Sequence, residues 1–202
     1  MPKQVDHQQR RNQLARALWR IAAREGLEAT TVRHVAAEAG VSVGRVQHYF
    51  STKDEMLLFA LQRVGEDLAG RVTRKITALP EPRDPYQVVW IVLCERLPLT
   101  TGQRVHVQAL VAWLGRAVAH PELAEYMVAG TRKLRDYLAD QLRRGQQTGQ
   151  VLAQLDPDLT AAGLLAFTDG LASHLLQDFH TPEAALAVLA EHMSHLFDRP
   201  NP

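Results

Sequence analysis

A chain of 202 residues, 46% of them hydrophobic, can bury one substantial core, or one core and a small satellite. A single cysteine, Cys94, excludes an intrachain disulfide framework and a cysteine-rich metal site, and fits a reducing cytoplasm. The net charge of +1 hides an asymmetry: residues 1–53 hold nine Lys/Arg and four Asp/Glu, residues 54–202 fourteen and eighteen, so a basic head precedes an acidic body.

The opening stretch MPKQVDHQQRRNQ has no apolar core of the kind a secretory signal needs. The longest unbroken apolar run, residues 88–94, falls far short of the roughly 20 residues that span a bilayer. The expectation is a cytoplasmic protein with no membrane partner. Over residues 8–25, Leu14, Leu18 and Ile21 recur at helical spacing beside Ala15, Trp19 and Ala22, and Gly26 supplies a stop. Thr31 can cap a second helix, whose apolar positions Val32, Val35, Ala36 and Ala39 fall at i, i+3, i+4 and i+7 before Gly40 ends it. Ser42 can cap a third, shorter one.

Residues 43–50, VGRVQHYF, decide the function. As a half-buried strand they would alternate Val43, Arg45, Gln47 and Tyr49 against Gly44, Val46, His48 and Phe50, and neither face would be cleanly apolar. As a helix they turn Val46 and Phe50 inward together and leave Gly44 and His48 outward, flanked by Arg45 and Gln47. The helix is the consistent solution. Two short helices joined by AGVS form a helix-turn-helix, whose second helix enters the major groove. Gly44 lets the backbone approach closely, Arg45 can address guanine or a phosphate, and Gln47 can address adenine. Thr52 and Glu55 then form a capping box for a long fourth helix, and Lys53 at its start can meet phosphate together with the free backbone amides.

LPEPRDP at 79–85 is the clearest break in the chain. Beyond it the pattern predicts helices over 85–97, 103–119, 121–144, 157–179 and 182–197, with no strand, so the fold class is all-α with about nine helices. The expected division is a DNA-binding head at 1–53, a linker helix at 54–78 and a helical body at 84–199.

The head is similar to the tetracycline-repressor (TetR) family of bacterial transcription regulators. The resemblance is carried by TTVRHVAAEAGVSVGRVQHYFSTKDEML: the glycine-valine-serine turn, Gly44, the HYF end of the recognition helix and the lysine after it. It covers about a third of the chain; the rest matches in helix number, helix length and the RRGQQTGQVLAQLDP turn. The chain departs from the pattern at Gln47, where many members carry tyrosine, so no contact from that ring carries over. A polar residue before HYF resembles the branch of choline-responsive betaine-synthesis repressors. The resemblance implies that Thr31 and Arg33 hold phosphate, that Ser42, Val43, Gly44, Arg45, Gln47 and His48 face bases, and that Tyr49 and Lys53 hold the DNA backbone. It also implies that the body at 84–199 binds an effector and dimerises, with Trp90, Cys94, Trp113, Tyr126, Met127, Phe167 and Asp169 as the candidates for the pocket. The acid at 169 lies in an apolar run and needs a partner if buried.

The last two helices carry more apolar residues than one core face needs. Leu164, Leu171, Leu175, Phe179, Leu189, Met193 and Leu196 are therefore expected at a dimer seam. Nine histidines invite an enzyme or metal hypothesis, but there is no His-Glu-x-x-His and no nucleophile–base pair, so no metal and no cofactor are expected. The expectation is a homodimeric, ligand-controlled repressor that binds a double-stranded DNA operator and answers to a hydrophobic or cationic small molecule. An α-helical enzyme using its histidines and a DNA-binding architectural protein without effector are the alternatives.

Overall fold

The computed structural model describes residues 2–27 and 29–197, with side chains except those of residues 2–6 and Ala23. The last two residues of the expected 84–199 body lie outside it. The described residues form nine helices: α1 (Pro2–Glu25), α2 (Val32–Ala39), α3 (Val43–Tyr49), α4 (Lys53–Thr77), α5 (Pro85–Arg96), α6 (Thr101–Ala117), α7 (Pro121–Gln147), α8 (Pro157–Leu176) and α9 (Pro182–Ser194). α1 begins before the expected residue 8 and α6 before the expected 103, whereas five other starts hold because short polar side chains meet the orphan amides there. Thr31 accepts from the His34 N–H, Ser42 from Arg45, Asp84 from Tyr86, Asp156 from Asp158 and Leu159, and Thr181 from Ala184. Gly40, at φ 66°, adopts the left-handed conformation that closes α2. One antiparallel bridge, between Val151 and Phe197, stands where no extended pairing was expected.

The chain packs as two units, described separately. The first comprises Met1–Asp67 and Gln108–Glu125. Its core holds Leu14, Leu18 and Ile21 of α1, Val35 of α2, Val46 of α3, and Leu57 and Leu61 of α4. The later segment joins this unit because the Trp113 indole is fully buried 5.7 Å from that of Trp19, and Arg116 pairs with Asp54 at 2.9 Å. The division by packing therefore differs from the one drawn along the sequence.

The second unit comprises Leu68–Val107 and Tyr126–Pro202. Its core gathers Val88, Val92, Leu93, Leu138, Leu142, Leu164, Leu165, Leu171, Leu175, Leu189 and Met193. Among the described helices α8 alone is long and apolar enough to cross a membrane, and seven of its residues are buried inside this unit.

The packing corrects the expected dimer seam. Leu164, Leu171, Leu175, Leu189 and Met193 are buried in the chain's own core, and Leu196 packs against it. Positions 164, 168, 171 and 175 fall on one side of α8, so the leucines are spent on a single inward face. The outer face carries exposed Ala162, Gly163, Ala166 and Gly170 instead. Phe179 is 71% exposed and lies beyond the end of α8, where Asp178 takes a positive φ.

Candidate nucleic-acid interface

The recognition segment is held from behind by apolar contacts and from the side by charge. Val46 and Phe50 turn into the core, with the Phe50 and Phe59 rings 5.5 Å apart. The Arg11 guanidinium lies over both rings, 4.7 and 4.4 Å from their centroids, and pairs with Glu55 at 3.1 Å. Glu55 closes the start of α4: its N–H donates to Thr52 Oγ1 at 3.0 Å, and its carboxylate accepts from the Ser51 N–H at 2.8 Å, one residue before the amide a standard capping box would use. One arginine of α1 thus ties the exit of α3 to the entry of α4. Sequence spacing gave no notice of this role, because the pair is separated by 44 residues.

With that backing fixed, the other face of α3 is open. Ser42, Val43, Gly44, Arg45, Gln47 and His48 are all exposed, Tyr49 and Lys53 are half-buried, and Thr31 and Arg33 are exposed at the start of α2. All ten residues named from the sequence for DNA contact therefore retain accessible surface. Their charges are available as well. Arg11, Arg20 and Arg24 of α1 meet Glu55, Glu38 and both Glu25 and Glu38 respectively. Arg16, Arg33, Arg45 and Lys53 form no ion pair with any described residue, so the uncompensated positive charge gathers around the recognition helix. The His7 ring lies 4.8 Å from Tyr49 and 6.4 Å from His48, a contact with the end of α3 that the sequence did not reveal.

The residues named for an effector pocket fall in both units. Trp113 belongs to the first unit, packed against Trp19. Trp90 lies nearly parallel to Tyr86 at 6.3 Å, and Phe167 stacks on His192 at 4.2 Å; both border the core of the second unit, as does half-buried Cys94. Burial pushes the Cys94 thiol up to about 12, which leaves it protonated and unreactive near neutrality. Tyr126 and Met127 are half-buried on α7. Asp169 is no buried acid: it is 57% exposed on the outer face of α8, 2.5 Å from Arg96.

The buried acid is Glu95, 3% exposed, with Arg71 at 2.9 Å and Lys75 at 2.7 Å. Burial pushes its carboxyl up, and the hydrogen bonds from Lys75 and Arg71 more than offset this, so it stays below the ordinary carboxylate range. The available signal was an acid inside IVLCERL, on a helix apolar nearly all round. Among the described residues no group of three or more His, Cys, Asp or Glu side chains can hold a metal ion.

This architecture is shared with known proteins. Residues 14–59 match the model of the bacterial regulatory proteins of the tetR family, and residues 89–198 that of the BetI-type transcriptional repressor C-terminal domain. The HTH-type transcriptional regulator PksA of Bacillus subtilis is 34% identical over 184 residues, 88% of this chain and 84% of that protein. The regulator BetI of Stenotrophomonas maltophilia is 30% identical over 175 residues, 85% of this chain and 83% of that one. A transcriptional regulator of Rhodococcus sp. Rha1 has a solved structure similar at a TM-score of 0.79 with 32% identity, covering 94% of this chain and 98% of that one. A regulator from Saccharomonospora viridis, solved in complex with choline, has the same fold at a TM-score of 0.87 and 20% identity over 95% of this chain and 100% of its own. With an exposed, cationic recognition helix in its tetR-type N-terminal region and a BetI-type helical C-terminal domain, the chain belongs to the TetR family of DNA-binding transcriptional regulators.

Proposed function

We propose that the protein is a homodimeric repressor that reads a palindromic operator through the outward face of α3 and leaves it when a small molecule binds the second unit. The observation that carries the DNA half is the open surface of Gly44, Arg45, Gln47 and His48, backed by buried Val46 and Phe50. Arg45 pairs with guanine or a phosphate and Gln47 with adenine, and Gly44 admits the duplex close to the backbone. Thr31, Arg33, Tyr49 and Lys53 hold the flanking phosphates, Lys53 together with the first amides of α4.

For the effector, half-buried Trp90 and Phe167 beside the second unit's core, with the choline held by the S. viridis regulator of the same fold, support a hydrophobic or cationic molecule. Such a ligand must prefer the released state, so by linkage its affinity falls when operator is bound. Titrating the protein onto a duplex selected from a random pool, with and without choline, tests both halves. The expected result is binding to the selected duplex far above a scrambled one, and release by choline. Equal binding to both duplexes contradicts the operator reading. Choline that binds without shifting operator affinity contradicts the switch.

A further inference from the structure

The open surface does not stop at α3. Arg45, Tyr49 and Val41 line a concavity with Arg10, Gln13 and Leu14 of α1. Arg10 and Gln13 in turn line a groove of about 580 Å³ with Gln9, Asn12, Arg16 and Arg20. The two hollows share residues, so one continuous surface runs from the recognition helix onto the polar side of α1. That side is a stripe: Gln9, Gln13, Arg16 and Arg20 are exposed at i, i+4, i+7 and i+11. Among the described residues, the groove lining holds three guanidiniums and three amides, and no acid.

The members differ in how their charge is spent. Arg20 donates to Glu38 at 2.6 Å, and Arg10 donates to Gln13 Oε1 at 3.0 Å. Gln13 reaches the Ala39 carbonyl at 3.4 Å, which fixes the stripe against the end of α2. Arg16 is exposed and forms no ion pair with any described residue, in a head where Arg11, Arg20 and Arg24 each found an acid. From residue 9 to residue 20, a helix rising about 1.5 Å per residue extends roughly 16 Å, while each DNA strand presents a charge every 3.4 Å or so along its axis. The stripe is therefore long enough to follow several phosphates.

We propose that the polar face of α1 is a phosphate track, in which Arg16, with the amides of Gln9 and Gln13 beside it, holds the operator backbone next to the base pairs read by α3. The proposal rests on the assignment of α3 as the reading helix. It widens the contact beyond the helix-turn-helix and adds affinity without base preference.

The test uses the full chain, a duplex selected by the wild type, and anisotropy titrations from 50 to 200 mM KCl. Arg16→Gln is expected to weaken selected and scrambled duplexes by the same factor. It should also make the slope of log affinity against log salt shallower by about 0.9 for each Arg16 that meets a phosphate. Arg16→Lys, which keeps the charge, should restore the slope. An unchanged melting temperature for Arg16→Gln confirms that the loss is one of contact, since the side chain is exposed. Ethylated phosphates that block the wild type should include some that no longer matter to Arg16→Gln. An unchanged slope, or a changed base preference, overturns the track. Arg45→Ala separates the two assignments: if it keeps full base preference, the α3 reading fails; if it loses preference while Arg16→Gln keeps the wild-type slope, only the α1 track fails.

Discussion

Gly44 sets stability against function at a single atom. A glycine inside a helix costs about 0.5–1 kcal/mol relative to alanine, and a Cβ added there meets nothing within 4 Å. Gly44→Ala should therefore raise the melting temperature slightly while weakening operator binding, because the added methyl stands where the duplex approaches. A variant that is more stable and binds as before would place the groove elsewhere. Arg45→Ala or Gln47→Ala should each cost about 1–3 kcal/mol on the preferred site and relax one base position, whereas Lys53→Ala should weaken all duplexes alike. Titrations against single-base variants of the duplex separate these outcomes. Glu95 offers the pH counterpart. Its carboxyl is lowered on folding, so the stability it contributes is present above the carboxylate range and is lost as pH falls through it. Glu95→Gln should cost on the order of 2 kcal/mol at neutral pH, between the figures for buried and for surface pairs, since Lys75 is open to water. The same variant should flatten the acid side of a melting-temperature profile; an unaltered profile would deny the triad its role.

For the helices, what could be read in the sequence was what the chain settles locally. Thr31 and Ser42 cap the helices they were expected to start, and Asp84, Asp156 and Thr181 cap those expected from 85, 157 and 182, because a side chain and an amide two or three residues on need no distant partner. The inward turn of Val46 and Phe50 followed from period alone. Helix ends were less legible: α8 stops at Leu176, before the expected 179, since Asp178 leaves the helical region. The outer face of α8 is hard to read because Leu164, Leu171 and Leu175 suggest a second apolar face until their positions on the helix are placed. Another element-level constraint had no sequence signature. At Gly145 near the end of α7, an added Cβ would lie 2.5 Å from Val151 Cγ2. Gly145→Ala should then cost about 1–3 kcal/mol through overpacking, measured by denaturant unfolding. A neutral result would mean that Val151 yields freely.

At the scale of the molecule the sequence was least informative where distant segments had to meet. The resemblance groups Trp113 with Trp90, yet its indole completes the first unit's core against Trp19, a contact across most of that unit's chain. The buried acid was sought at Asp169 and found at Glu95, whose two cations come from another helix. For the dimer, the exposed alanines and glycines of α8 replace the leucines as the proposed seam, since small residues let two copies approach closely. Ala166→Arg should give folded monomers by sedimentation, because an isologous patch meets each change twice. A folded, unchanged dimer would move the seam off α8.

The central claim is that the outward face of α3 reads base pairs, and its most direct test is a selection of duplexes from a random pool by the wild type and by Arg45→Ala in parallel. The account predicts that the wild type enriches an inverted repeat with half-site centres about 34–36 Å apart, and that Arg45→Ala enriches the same repeat with preference lost at one position in each half. An unenriched wild-type pool, or the same sequence selected by both proteins, would contradict it.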